Sequence, residues 1–190
     1  YIQEYAQILG KISSKIKTTL GVHQYQFVLN NATATEPRWA IHLENNSGGV
    51  FSAGLGIHSR LEPVSVYLFK RYAADGSYTQ PNKNIQPGTA IHYVASYEQK
   101  VNEKTKIKVE AYIQDLSKVP IDSAFNGTYS LLNTSGGIPT SVLQNVGFGK
   151  NKGIELTIEK FYSKNFYYLI TASLFDSKYQ NKNMVWHNTI

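Results

Sequence analysis

His42, His58 and His92, with Glu110, Glu155 and Glu159, are the side chains of this sequence with the most chemistry to offer. Imidazole is a common metal ligand. The histidines lack the close spacings that build a metal centre, however, so they are read as histidines lining a wet surface or anchoring loops. No metal and no cofactor is assigned. Two carboxylates suffice for glycoside hydrolysis, but here Glu alternates with Thr and apolar residues, which is how the wet face of a strand reads. No serine nucleophile elbow accompanies them. Gly147, Gly149 and Gly153 imitate a phosphate loop, yet they lead into a strand pattern where that motif needs a helix. No catalytic residue is assigned, and the chain is read as a non-enzyme.

The elements that would position these groups are strands. From Gly153, Ile154, Leu156 and Ile158 fall on one face, and Glu155, Thr157 and Glu159 on the other. After a turn at 162–165, Phe166, Tyr168, Ile170, Ala172 and Leu174 continue the pattern. The same alternation recurs at 1–9, 16–29, 38–44, 51–58, 89–99 and 107–114. In the second of these the phase is least clear, and a bulge near Val22 is expected. Gly54 and Gly56 fall on a polar face, which predicts a close approach by another group there.

The two strands of the hairpin within 147–179 run to roughly ten residues, about the 9 to 11 that a tilted strand needs to cross a bilayer. Connections at 10–15, 45–49, 101–105 and 162–165 are short. They alternate with 30–36, 60–88, 115–150 and the polar stretch after Tyr179. Short turns at one end and longer loops at the other predict an all-β, antiparallel up-and-down transmembrane barrel. About eight strands are expected here, in one domain spanning 1–190. On this reading the apolar face meets outer-membrane lipid. Arg38, His42, His58, His92, Lys108, Glu110, Glu155 and Glu159 then face the lumen. Pairing the strand at Ile107 with the one ending at Phe161 is expected to set Lys108 opposite Glu159 and Tyr112 opposite Glu155. Long loops carry recognition, which makes Tyr72, Tyr78, Tyr129 and Trp186 candidate ligand contacts.

Composition is compatible with this. Among 190 residues there are 14 Tyr and 8 Phe but only two Trp, one Met and no Cys. Aromatic and β-branched residues favour strands, and aromatic girdles flank the apolar band of a membrane barrel. Without cysteine there is neither a disulfide framework nor a thiolate site. The formal charge of +6 is dispersed, with no basic run longer than Lys70-Arg71, so a nucleic-acid partner is not expected.

The segments EPRWA at Glu36, HSRLEP at His58, HYVASYEQKVNEKTKIKVEAYIQDLSKVPID from His92, YSLLN at Tyr129, GKNKGIELTIEKFYSKNFYYLITASLFDSKY from Gly149 and WHNT at Trp186 together carry a resemblance. They are similar to the barrel portion of TonB-dependent outer-membrane receptors, particularly those of Bacteroidetes-type bacteria. The resemblance implies a plugged barrel of about 22 strands in the bacterial outer membrane, importing a metal chelate, a glycan or a peptide. It also implies a TonB complex acting through parts absent from this chain, and a surface lipoprotein as a further partner. No plug domain, TonB box or closing strand is legible, so the chain is expected to be a fragment covering about a third of such a barrel. The rival from another class is a β-rich surface binding module or adhesin.

Overall fold

The computed structural model describes residues 1–124, 127–133, 141–163 and 165–189. Eight long strands follow the alternating stretches: β1 (Ile2–Lys11), β2 (Ile16–Phe27), β3 (Ala32–Glu44), β4 (Val50–Arg60), β7 (Gly88–Asn102), β8 (Thr105–Asp122), β9 (Leu143–Ser163) and β10 (Phe166–Gln180). A two-stranded hairpin, β5 (Arg71–Tyr72) with β6 (Tyr78–Thr79), and a single helical turn, α1 (Val64–Tyr67), occupy the connection between β4 and β7. A short β11 (Trp186–Asn188) completes the set.

All but the small hairpin form one nine-stranded antiparallel sheet, in which each strand lies beside its sequence neighbour from β1 through to β11. The fold is therefore the expected all-β meander. It gains a ninth strand, where the sequence after Tyr179 reads as polar loop: Lys178, Tyr179 and Gln180 pair with Asn188, His187 and Trp186. The joins from β1 to β2, β3 to β4, β7 to β8 and β9 to β10 fall at one end of the sheet, and those from β2 to β3, β4 to β7, β8 to β9 and β10 to β11 at the other. Residues 125–126, 134–140 and 164, inside two of the expected connections, lie outside the described residues.

Three local expectations are corrected. β2 pairs with β1 and β3 in unbroken register, so no bulge occurs near Val22. Leu20 and Val22 have opposite parity to His23 and Tyr25, and a plain strand accommodates both sets. The bulges that matter lie in β8, between Leu116 and Val119, where Lys118 takes φ 54°. They interrupt the alternation, which is why the sequence ends this strand at 114 although its pairing continues to Asp122. Finally, Lys108 faces Thr157, Glu159 faces Lys106, and Glu110 faces Glu155, two residues away from the expected register. Because the shift is even, every side chain keeps its face. Tyr112 comes to lie opposite Gly153 instead of Glu155, and a Cβ on Gly153 would sit 2.7 Å from the Tyr112 hydroxyl. The ring covers the glycine, a pairing that pins register.

Few side chains are buried. The main cluster, Val66, Tyr67, Ile85, Leu131 and Leu143, with Phe27 and Tyr129 packed against it, belongs largely to the two long connections. These connections are tied together by polar clamps. Fully buried Asn82 accepts from the Leu143 N–H at 2.9 Å and donates to the Ser141 carbonyl at 3.2 Å. Asn145 closes a pair of 2.8 Å hydrogen bonds with the Gln86 backbone, and Asn30 donates to the carbonyls of Lys83 and Ile85. The Asn82 clamp satisfies backbone groups that the connection would otherwise bury unpaired.

Candidate functional site

Directly paired residues share a sheet face, so the register assigns every side chain to one side. Arg38, His42, His58, His92, Lys108, Glu110, Glu155 and Glu159 all fall on one face. The opposite face carries Leu20, Trp39, Leu55, Tyr93, Ile113, Ile154, Leu156, Ile170 and Leu174, all exposed.

Across the polar face runs a single row of partners: Gly21, Arg38, Gly56, His92, Gln114, Asn151 and Ser177, one from each of seven adjacent strands. Its right half is hydrogen-bonded end to end. Ser177 Oγ donates to Asn151 Oδ1 at 2.7 Å, Asn151 Nδ2 donates to Gln114 Oε1 at 2.9 Å, and Gln114 Nε2 lies 3.3 Å from His92 Nδ1. His58 packs its ring against His92, with centroids 4.4 Å apart. Gly56 makes room for this. A Cβ there would stand 3.1 Å from His58 Nε2 and 3.5 Å from Arg38 Cγ. The close approach expected at a polar-face glycine is thus found at Gly56, and the visitor is a side chain of the same strand.

The left half is organised by Glu36, which sequence reasoning passed over as a loop residue. It lies in β3 and is 3% exposed. Its carboxylate accepts from Arg38 Nη2 at 3.0 Å and from the Ser59 N–H at 2.7 Å, and meets His23 Nδ1 at 2.9 Å. A buried carboxylate needs such partners, and here they also hold Arg38 beside the row. Its one sequence signal was parity, since residues 36 and 38 share a face of any strand reaching back past Pro37.

The long connections fold against this face and leave a cavity of about 300 Å³, whose lining includes His58, Arg60, Glu62, His92, Gln114 and Leu131. One wall is therefore imidazole and amide, and another aliphatic. Glu62 enters from the loop side, only 7% of its side chain exposed, with Arg60 Nη2 at 4.0 Å. Burial pushes its carboxyl above the usual range, opposed by the Arg60 guanidinium. The Glu62 N–H donates to the Tyr67 hydroxyl at 3.2 Å, anchoring α1 beside the cavity. Burial also raises the Tyr67 phenol.

Other candidates lie away from the cavity. His42 Nδ1 meets Ser52 Oγ at 2.8 Å. Lys108 pairs with Glu110 along its own strand, and Glu159 takes Lys106 at 3.1 Å, which also reaches Glu98 at 3.6 Å. Glu155 borders a second hollow with Glu110, Tyr112 and Asn151. Tyr72 and Tyr78 face each other across the small hairpin at 5.9 Å, both exposed, with Lys70 Nζ 4.1 Å from the Tyr78 ring centre. Tyr129 packs against the loop cluster instead of standing free, and Trp186 is part of β11. Among the described residues no three His, Asp or Glu side chains converge as a metal set.

The geometry defines a wall: long strands, one apolar face, and one polar face covered at one end by clamped loops. The sequence matches no protein family and no curated protein. In structure the chain is similar to the copper transporter OprC, with a TM-score of 0.57 at 14% identity over 95% of this chain. It spans 29% of that protein's length. At such identity the likeness is one of fold: a long antiparallel meander that makes up part of a larger protein.

Proposed function

We propose that this chain is a section of the wall of an outer-membrane β-barrel transporter of the TonB-dependent kind, importing a ligand into the periplasm. The observation that carries the reading is the sidedness of the sheet. From β2 to β10 one face presents Leu20, Trp39, Leu55, Tyr93, Val109, Leu156 and Ile170 uncovered, far more than a soluble monomer leaves bare. Lipid is the solvent that makes such a face favourable. Every ladder hydrogen bond lies between strands, as a bilayer demands. The edges β1 and β11 each have one strand neighbour, and in a barrel further strands would cover them. The polar face then lines the lumen, with Arg38, His42, His58, His92, Lys108, Glu110, Glu155 and Glu159 in contact with water or cargo. The long connections face outward from the cell, with Tyr72 and Tyr78 as the exposed aromatic contacts for cargo. Likeness to a transporter fold supports the reading, and the ligand is a metal chelate, a glycan or a peptide. TonB and a surface lipoprotein are the partners this reading brings with it.

Because the chain has no cysteine, single replacements report each face. In the protein embedded in membranes, Leu156→Cys is expected to resist a charged, water-soluble maleimide and to react with a lipid-soluble one. Thr157→Cys, one residue on, is expected to react with the charged reagent. Equal labelling of both by the charged reagent, in protein that fractionates without detergent, would instead favour the soluble surface module.

A further inference from the structure

On the apolar face the band of aliphatic side chains does not run to the ends of the strands. Ala111, Ile154 and Leu174 are direct neighbours on β8, β9 and β10, and the next row toward the long connections is Ile113, Lys152 and Asp176. The row beyond that is Asp115, Lys150 and Lys178. Five charged side chains thus replace aliphatic ones on the side of the sheet that faces away from the polar row. A charge on the lipid face costs free energy near the bilayer centre and little at its surface, so these rows mark where the wall leaves the hydrocarbon. On β3, β4 and β7 the same register row is still Trp39, Leu55 and Tyr93. Strands of a barrel are tilted, so a row at right angles to them climbs around the wall, and its β9–β10 end emerges first.

The charges are not simply self-neutralising. Lys150 Nζ lies 3.4 Å from Asp115, while Asp176 is shared between Lys152 at 3.7 Å and Lys178 at 3.4 Å. All five side chains are 42 to 60% exposed. Ion pairs of that kind contribute little, and three ammonium groups against two carboxylates leave cationic charge in excess. Lys150 and Lys178 are directly paired on neighbouring strands, and Lys152 follows two residues along β9, so the three stand as neighbours on one face of the sheet. Each ammonium offers three donors.

We propose that Lys150, Lys152 and Lys178 form a binding surface for the phosphate groups of a glycolipid headgroup in the outer leaflet, with the aliphatic rows below holding its acyl chains. The two aspartates keep the lysines upright and spaced in the absence of lipid. This inference rests on the barrel-wall reading, because only lipid contact on the apolar face brings a headgroup to this height.

The test uses the full-length protein reconstituted into phosphatidylcholine vesicles with and without lipid A, a glycolipid carrying phosphate monoesters. Bound lipid is counted by native mass spectrometry after release. Lipid A is expected to be enriched on the wild-type protein, to fall by roughly fivefold for K152Q and further for the K150Q/K152Q/K178Q triple variant. Enrichment should be retained when the three are changed to arginine and in a K104Q control in a short turn. Unchanged enrichment in the triple variant overturns the assignment. So does competition by inorganic phosphate that displaces lipid A completely, which would make this an anion site and not a lipid site. Protein that fails to float with either vesicle overturns the barrel-wall reading itself; protein that floats with both but shows no lipid A preference overturns this inference alone.

Discussion

Gly153 and Glu62 are the residues at which chemistry and architecture meet most directly. A Cβ on Gly153 would lie 2.7 Å from the Tyr112 hydroxyl and 2.9 Å from the Leu174 carbonyl. A flexible ring can swing away, but the backbone oxygen has no such freedom. Gly153→Ala is therefore expected to destabilise the β8–β9–β10 region by about 1 to 3 kcal/mol, read from unfolding in detergent. Wild-type stability in the variant would mean that the Tyr112 ring over Gly153 does not set the register. Glu62 tests the loop side of the cavity. Its folded pKa is raised above the ordinary 4.5 by burial, so the native state holds the proton more tightly than the unfolded one. The stabilisation is complete below the ordinary value and is lost as pH rises through the raised one. Amide protection at Val66 and Leu68, corrected for intrinsic exchange, should accordingly fall as pH rises above the ordinary 4.5 and through the raised value. Glu62→Gln should flatten that dependence and protect the turn at neutral pH. Protection that rises with pH in the wild-type protein would contradict the assignment.

At the scale of the strand, sidedness governs tolerance. Leu156 and Thr157 are adjacent in β9 but lie on opposite faces. Leu156→Arg is expected to cost about 2 to 4 kcal/mol when unfolding is followed from the membrane. Thr157→Arg should stay within about 0.5 kcal/mol of wild type. Similar costs at both positions would remove the distinction between the faces. This alternation was legible in the residues themselves, because a period of two is a local property of the chain. Strand ends were legible only where alternation stopped for lack of strand. At Leu116–Val119 it stops because of a bulge, and β8 continues to Asp122. In sequence Glu36 belongs to a loop, because the polar run from Asn30 and the imide of Pro37 suggest one. In the sheet the N-terminal part of β3 pairs with β2, and tertiary pairing overrides the local signal.

For the whole molecule, the meander order and the segregation of short turns from long connections follow from the spacing of the alternating stretches. Packing of the connections does not. Asn82 reaching Leu143, and Asn30 reaching Ile85, join residues far apart in sequence, and no local pattern marks those pairs in advance. The histidines show the same division. Their shared face was readable from parity, whereas the contact between His58 and His92, made possible by Gly56, required the register of β4 against β7. Tyr129 and Trp186 stood out as aromatics in polar stretches; whether they were exposed depended on what folded over or beside them.

By itself, then, the sequence determined which side chains share a face and which end of the sheet carries long loops, because both depend only on phase and spacing along one chain. The tertiary structure alone decided which residues stand opposite one another. That choice turned on an even register shift that leaves every face unchanged and is invisible to periodicity. It is this shift that places Tyr112 over Gly153 and Gln114 beside Asn151; the registers of the neighbouring strands bring Arg38 and His92 into the same row and set Lys150 beside Lys178 at the border of the apolar band.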